Sequence, residues 1–228
     1  MKIIYLSGID GCGKTTQAKL LVKYLNDKGV YADYLWFRWE PSLRKLINFF
    51  RNRKVKTALY KHPHQDRIVA ENTEQDDWHR TKRVILSNSI IRKIWLFYAC
   101  ADYFILYKKR FENIASHIVI VDRYIDDFII DQAVNLNISP DNMHLLKKNF
   151  FLNKFRYPDL YIIIDIPATE GYRRKKDGTS LTYLETREKY YQAMNGHDTL
   201  HLDGLDSIDK LAFQISEWIS NKLGVGKI

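Results

Sequence analysis

Apolar runs of strand length alternate along this chain with longer segments whose apolar residues recur at helical spacing. Five runs stand out, over 2–7, 31–37, 117–122, 160–165 and 199–203. Two of them contain unbroken apolar stretches, Ile118-Val119-Ile120-Val121 and Tyr161-Ile162-Ile163-Ile164. A strand that is apolar on both sides of its pleat needs cover on both faces, as in a parallel sheet between helical layers. The pattern therefore predicts an α/β fold, with five parallel strands sandwiched by helices.

The helical segments carry readable ends. Ser139-Pro140-Asp141 combines a capping residue, a proline suited to the first helical position and an early acid. A long helix is predicted from 87 to about 113. The last helix follows Asp206-Ser207, places Leu211, Ile215, Trp218 and Ile219 on one stripe, and stops at Gly224. The segment 42–81 is the least regular and reads as an insertion. The segment 171–180 is short, basic and glycine-containing, and reads as a lid loop. The 228 residues suit a single domain over 1–228.

Composition narrows the setting. No apolar run reaches the roughly 18 residues of a membrane helix, and the N-terminus enters a strand directly with no small-residue cleavage site. Two cysteines, Cys12 and Cys100, form no disulfide framework and fit the reducing cytoplasm. The net charge is +9, and 42–93 holds 13 Lys or Arg against 5 Asp or Glu. Such a segment attracts phosphates, on nucleotide, nucleic acid or lipid, or is simply a solvated helical face. His62, His64 and His79 share that region with acids, without the tight spacing of a metal site.

The chemistry concentrates in Gly8-Ile9-Asp10-Gly11-Cys12-Gly13-Lys14-Thr15, which fits G-x-x-x-x-G-K-[ST] between an apolar strand and an amphipathic helix. Glycines let the backbone curl so that successive N–H groups face phosphate oxygens, and the helix N-terminus adds partial positive charge. Gly8, Gly11, Cys12, Gly13, Lys14, Thr15 and Thr16 are the expected ATP-binding set, with Lys14 on the β- and γ-phosphates. Cys12 fills a variable slot, and a thiol exposed there would be oxidisable. Asp122 ends the third apolar strand, where it joins the Thr15 hydroxyl as an expected Mg²⁺ ligand. Arg123 follows at once, placed to grip phosphate bidentately.

The same residues resemble the thymidylate kinase family. Gly8 to Gln17 matches its G-x-D-G-x-G-K-T-T-Q loop, and Asp122-Arg123-Tyr124 matches its D-R-Y. Leu96-Phe97-Tyr98-Ala99 and Tyr157-Pro158-Asp159-Leu160 with Asp165-Ile166-Pro167 are similar to further family signatures, and Tyr183, Arg187 and Tyr190 echo another. The resemblance implies a P-loop NTPase fold with a short basic lid, and transfer of phosphate from ATP to dTMP with Mg²⁺. It implies that Asp10 orders the phosphate-gripping arginines and that Arg38 and Arg123 hold the phosphates. Phe97 would stack on the acceptor base and Gln132 would contact the acceptor. Because the loop lacks an arginine, the lid run Arg173, Arg174, Lys175 and Lys176 would supply cations, Arg174 foremost. Family members are usually homodimers, and Trp95, Phe104 and Tyr107 are the expected face.

The chain departs from the family at the acceptor base. The family's base-reading arginine falls at Ala101, followed by Asp102 and Tyr103, and Asp127 and Phe128 stand where small hydroxyl residues are usual. The phosphate chemistry is untouched by these changes, whereas a pocket selects one base only through its polar partners. Two other readings stay open: a kinase of another nucleotide, nucleoside or small acceptor, and a nucleic-acid-binding protein acting through the basic 42–93 segment.

Overall fold

The computed structural model describes residues 1–43, 85–112, 114–175 and 179–224. All but the first two residues of the insertion expected over 42–81, the three histidines and most of the basic segment lie outside those residues.

Five parallel strands form one sheet: β1 (Lys2–Ser7), β2 (Ala32–Trp36), β3 (Ile118–Asp122), β4 (Leu160–Asp165) and β5 (Thr199–Asp203), in the order β2-β3-β1-β4-β5. This is the α/β sandwich of the P-loop NTPases. β2 and β3 are a little shorter than the apolar runs, although the Phe37 N–H still bonds the Asp122 carbonyl. Central strands β1 and β3 are buried, while β2 and β5 at the edges are mostly half-exposed. The continuous apolar runs thus fall where both faces are covered.

Side chains of a strand alternate between faces, and β1 divides the core accordingly. Ile4 and Leu6 join α1 (Lys14–Asp27) and α6 (Ile208–Leu223) through Ala18, Leu21, Leu25, Leu211, Ile215 and Ile219. Ile3 and Tyr5 join the opposite layer of α2 (Ser89–Phe111), α3 (Ile125–Leu136) and α5 (Leu181–Gln192). That layer is aromatic: Tyr103 stacks on Phe128 at 4.4 Å and on Phe155 at 5.0 Å. A short helix, α4 (Ala168–Arg174), links β4 to the segment before α5.

The caps explain the helix ends. The Asn88 side chain accepts the Ile90 and Ile91 N–H groups and starts α2, Ser207 accepts Lys210 N–H to start α6, and Gly224 ends α6 in the left-handed region. The helix expected after Ser139 is instead a 3-10 run, Pro140–Lys148. Met143 and Leu146, three apart, pack on the core, which suits three residues per turn. Ser139 Oγ there accepts from the Asn142 side chain and caps no backbone group. Among the described residues no helix is long and apolar enough to cross a membrane.

Candidate active site

The sheet order places β1 between β3 and β4, and the chain leaves β1 toward β2 on one side and later returns to β4 on the other. The crevice beyond the carboxyl ends of such strands is where α/β sheets bind ligands. The loop 8–13 leaves β1 at this point, and Asp122-Arg123 leaves β3 beside it. Gly8 has φ +141°, and a Cβ there would sit 2.4 Å from the Ile164 carbonyl oxygen, so only glycine admits this turn.

Asp10 is the centre of charge. It is buried, and its Oδ1 pairs with Arg123 Nη2 and, at 3.3 Å, with Lys14 Nζ. Lys175 Nζ stands 3.5 Å from Oδ2. Burial alone would raise the Asp10 pKa, but Lys14, Arg123, Lys175 and Arg38 together hold it well below the usual carboxylate range. Lys14 Nζ also donates to the Ile9 carbonyl at 3.2 Å. Arg38 lies in the exposed segment following β2.

Arg123 has φ +66°, a left-handed backbone that costs a non-glycine residue roughly 1–2 kcal/mol. Strain of this kind is retained where the surroundings over-determine it. Burial works against the guanidinium's charge, and the Asp10 and Asp127 carboxylates more than restore it, raising its pKa. Removing one partner of such a buried pair costs about 3–5 kcal/mol, because the other charge is stranded.

Asp122, fully buried, ends β3 as expected. Its Oδ2 accepts from Thr15 Oγ1 and, at 3.0 Å, from Tyr34 Oη, while its Oδ1 has no hydrogen-bond partner. Burial, then the neighbouring Asp122 charge, pushes the Tyr34 phenol up to about 12, so it remains a donor at neutral pH. An orphaned carboxylate oxygen next to a threonine hydroxyl is a hard oxygen donor set, which suits Mg²⁺. The rest of the expected nucleotide set lies around the same turn, with Gly13 and Thr16 exposed at the start of α1.

Cys12 is a spacer, as its variable slot implied: it is 1% exposed beneath the loop, and burial raises its pKa, which keeps it protonated. Two expectations change. Arg174 turns away from Asp10. Glu170, one helical turn back, draws its Nε to 2.6 Å, and Nη1 donates to the Gly204 carbonyl. Among the described residues Lys175, where α4 has ended, is the cation of the expected lid run that reaches Asp10. Phe97 is 65% exposed and packs edge-on against Phe151, because α2 sets it about 200° round the axis from Trp95.

Trp95 occupies the inner side instead. Its Nε1 donates to Gln132 Oε1 at 2.9 Å, while the buried Gln132 Nε2 has no acceptor among the described residues. Trp39 packs on Trp95 and Phe128 and donates to Asp102, whose carboxylate also accepts the Ser42 N–H. Asp102 thus holds the segment beyond Arg38. Asp127 points inward to Tyr5, Ser7 and Tyr191. Tyr183 and Arg187 pack together, Arg187 pairing with Asp131 at 2.6 Å, and Tyr190 bonds the Ile138 carbonyl. Tyr34 carries no signal in the sequence; Lys175 is one of four expected lid cations, with Arg174 foremost, and Asp127 stands out there only as a departure near the acceptor base. Among the described residues no group of His, Cys, Asp or Glu forms a metal-binding cluster.

The chain is similar to thymidylate kinases. It is 28% identical over 176 residues to "Thymidylate kinase" of Fervidobacterium nodosum, covering 76% of this chain and 71% of that protein. It is 29% identical over 191 residues to "Probable thymidylate kinase" of Pyrococcus horikoshii, covering 80% and 73%. The match to "Probable thymidylate kinase" of Methanococcus maripaludis is 24% identical over 240 residues and covers 97% and 94%. No family model matches the chain. The similarity to these kinases extends over most of the chain and supports the family resemblance carried by the loop and D-R-Y motifs.

Proposed function

We propose that this protein is a nucleoside monophosphate kinase that transfers the γ-phosphoryl group of ATP to the phosphate of dTMP, giving dTDP. One observation carries the reading: four cations, Lys14, Arg123, Lys175 and Arg38, act on the single buried carboxylate of Asp10, between the phosphate loop and the β3 turn. A cationic recess on that scale suits two phosphate groups brought face to face. The names of the similar kinases point to the same chemistry.

Phosphoryl transfer asks for alignment and charge neutralisation. The loop N–H groups and Lys14 hold the β- and γ-phosphates of ATP. Thr15 and Asp122 would hold Mg²⁺, which supplies neutralisation of the β- and γ-oxygens when bound. Arg38 and Arg123 take the acceptor phosphate, and Asp10 keeps their side of the recess in order. The lid at 171–180 closes over them and excludes water, with Lys175 as its cation and Arg174 held by Glu170 and Gly204. No strong general base is required, because a phosphate monoester's second ionisation lies near pH 6. Gln132 approaches the acceptor, within the aromatic wall of Trp95, Trp39 and Phe128. The reaction belongs with the cytoplasmic nucleotide pool, and we place a homodimer contact on the outer face of α2.

A second reading, a kinase of the same build acting on another nucleotide or small acceptor, is favoured by Ala101 on α2 and by Asp127. That carboxylate is taken up by internal hydrogen bonds and offers nothing to a base. A coupled ADP-release assay with ATP, Mg²⁺ and each common nucleoside monophosphate decides. Preference for dTMP is expected. Turnover with other acceptors alone selects the second reading; no turnover with any monophosphate overturns the first, and silence with nucleosides as well overturns both.

A further inference from the structure

An acidic residue at the third position of a helix usually accepts an N–H from its own first turn and faces solvent. Asp127 accepts that bond, from the Tyr124 N–H at 2.8 Å to Oδ2, but it is only 6% exposed. Its other donors come from distant elements. Tyr5 Oη lies 2.7 Å from Oδ2, Ser7 Oγ lies 3.0 Å from Oδ1, and Tyr191 Oη lies 2.6 Å from Oδ1. Tyr5 Oη is also 2.7 Å from Ser7 Oγ, so its one proton goes to one of the two.

These partners sit at informative places. Ser7 is the last residue of β1, directly before Gly8 of the phosphate loop. Tyr191 belongs to α5, the helix that follows the lid. The Tyr124 N–H is the amide joining Arg123 to Tyr124, so the bond to Asp127 holds the peptide plane that follows the left-handed Arg123. One carboxylate therefore ties together the loop's entry, the arginine turn and the lid-side helix.

We propose that Asp127 is a positioning residue for phosphoryl transfer: by anchoring the turn it sets the Arg123 guanidinium opposite Asp10, where the phosphates meet. The inference rests on the kinase reading above. An amide at 127 matches the shape but keeps one acceptor oxygen and no charge, so the Tyr124 N–H, which can only donate, competes for that oxygen with hydroxyls that can also turn and accept. Asp127→Asn therefore weakens the anchor of the turn without enlarging or emptying the core.

The test is a double-mutant cycle in the ADP-release assay, run well below each variant's melting temperature. Arg123→Ala is expected to lower kcat by about 100-fold or more. Asp127→Asn alone is expected to lower kcat at least about 10-fold with the KM for ATP within about 3-fold, and about 3-fold or less further when added to Arg123→Ala. A merely structural residue would lower the melting temperature in both backgrounds and leave kcat of the folded protein unchanged. The inference is overturned if Asp127→Asn keeps kcat within about 3-fold of the parent, or if the two losses multiply in full. Turnover by the parent protein tests the kinase reading separately. Should the parent show none, the same cycle is read on binding of inorganic phosphate, the group Arg123 is placed to hold, where the same non-additivity is expected and full additivity overturns the inference.

Discussion

Gly11 and Gly171 meet backbone to backbone: a Cβ on Gly11 would sit 2.8 Å from the Gly171 carbonyl oxygen, and one on Gly171 would sit 2.7 Å from the Asp10 carbonyl oxygen. The phosphate loop thus rests on α4, the helix that begins the lid. The obstacle on each side is backbone, which cannot swing aside as a flexible side chain would. Gly171→Ala should therefore destabilise the protein by about 1–3 kcal/mol despite alanine's better helix propensity. It should also weaken ATP binding about 10-fold or more by displacing the loop. Thermal melting and an ATP titration check both, and an unchanged ATP affinity would show that loop and lid do not share this contact.

The cations around Asp10 should not contribute equally. Lys14→Ala is expected to leave less than about a tenth of the wild-type rate, since it removes a donor from the phosphates. Lys175→Ala should lower kcat at least about 10-fold. Arg174→Ala should change kcat less than about 3-fold while costing about 1 kcal/mol of stability, because the Gly204 carbonyl loses its donor. Steady-state kinetics with melting curves separates these outcomes. A larger kinetic loss at Arg174 than at Lys175 would reverse the assignment.

Asp126, next to Asp127, gives a prediction about pH. It is buried, its Oδ1 pairs with Lys147 Nζ at 2.7 Å, and its Oδ2 has no partner. Burial raises its pKa more than Lys147 lowers it. The folded state therefore favours the protonated acid, a contribution present below the unfolded pKa near 3.9 and lost as pH rises through the folded value. Asp126→Asn, which mimics the neutral form, should raise stability at pH 8 by about 1 kcal/mol, or roughly 2–4 °C in Tm. The gain should vanish toward pH 4. A variant less stable than wild type at pH 8 would mean that the Lys147 pair outweighs the desolvation.

The outer face of α2 predicts self-association. Ile90, Ile94, Phe97 and Ile105 fall on one helical stripe and are each more than 60% exposed, with Phe150 beside them. Trp95, Phe104 and Tyr107, the residues first expected at this face, pack against the core instead. The double variant Ile94→Glu, Phe97→Glu should sediment as a monomer under conditions where wild type is a dimer, with melting behaviour close to wild type. A wild-type monomer at tens of micromolar would remove the dimer from the proposal.

The strands and the phosphate loop were legible because their signals are local. An unbroken, β-branched apolar run as short as 118–121 suits a doubly covered strand, and a glycine-rich turn between strand and helix suits a phosphate-facing curl. The meeting of Thr15 with Asp122 followed from the same regularity, since the loop that leaves β1 carries the start of α1 over the end of the neighbouring strand β3. Partner choice among side chains is not local. Arg174 and Lys175 are adjacent in a basic run, yet helix periodicity commits the first to Glu170 and Gly204 and leaves the second for Asp10. Phe97 and Trp95 are two residues apart and face opposite ways. Asp127 looked like a change at the acceptor base, but it is the meeting point of hydroxyls from β1 and α5, more than fifty residues distant on either side. The chain's own pattern was enough for the sheet, the loop and the class of chemistry. Which charges meet, and which side chains turn inward, was decided by packing, because long-range neighbours and burial set the cost of leaving a polar group unpaired.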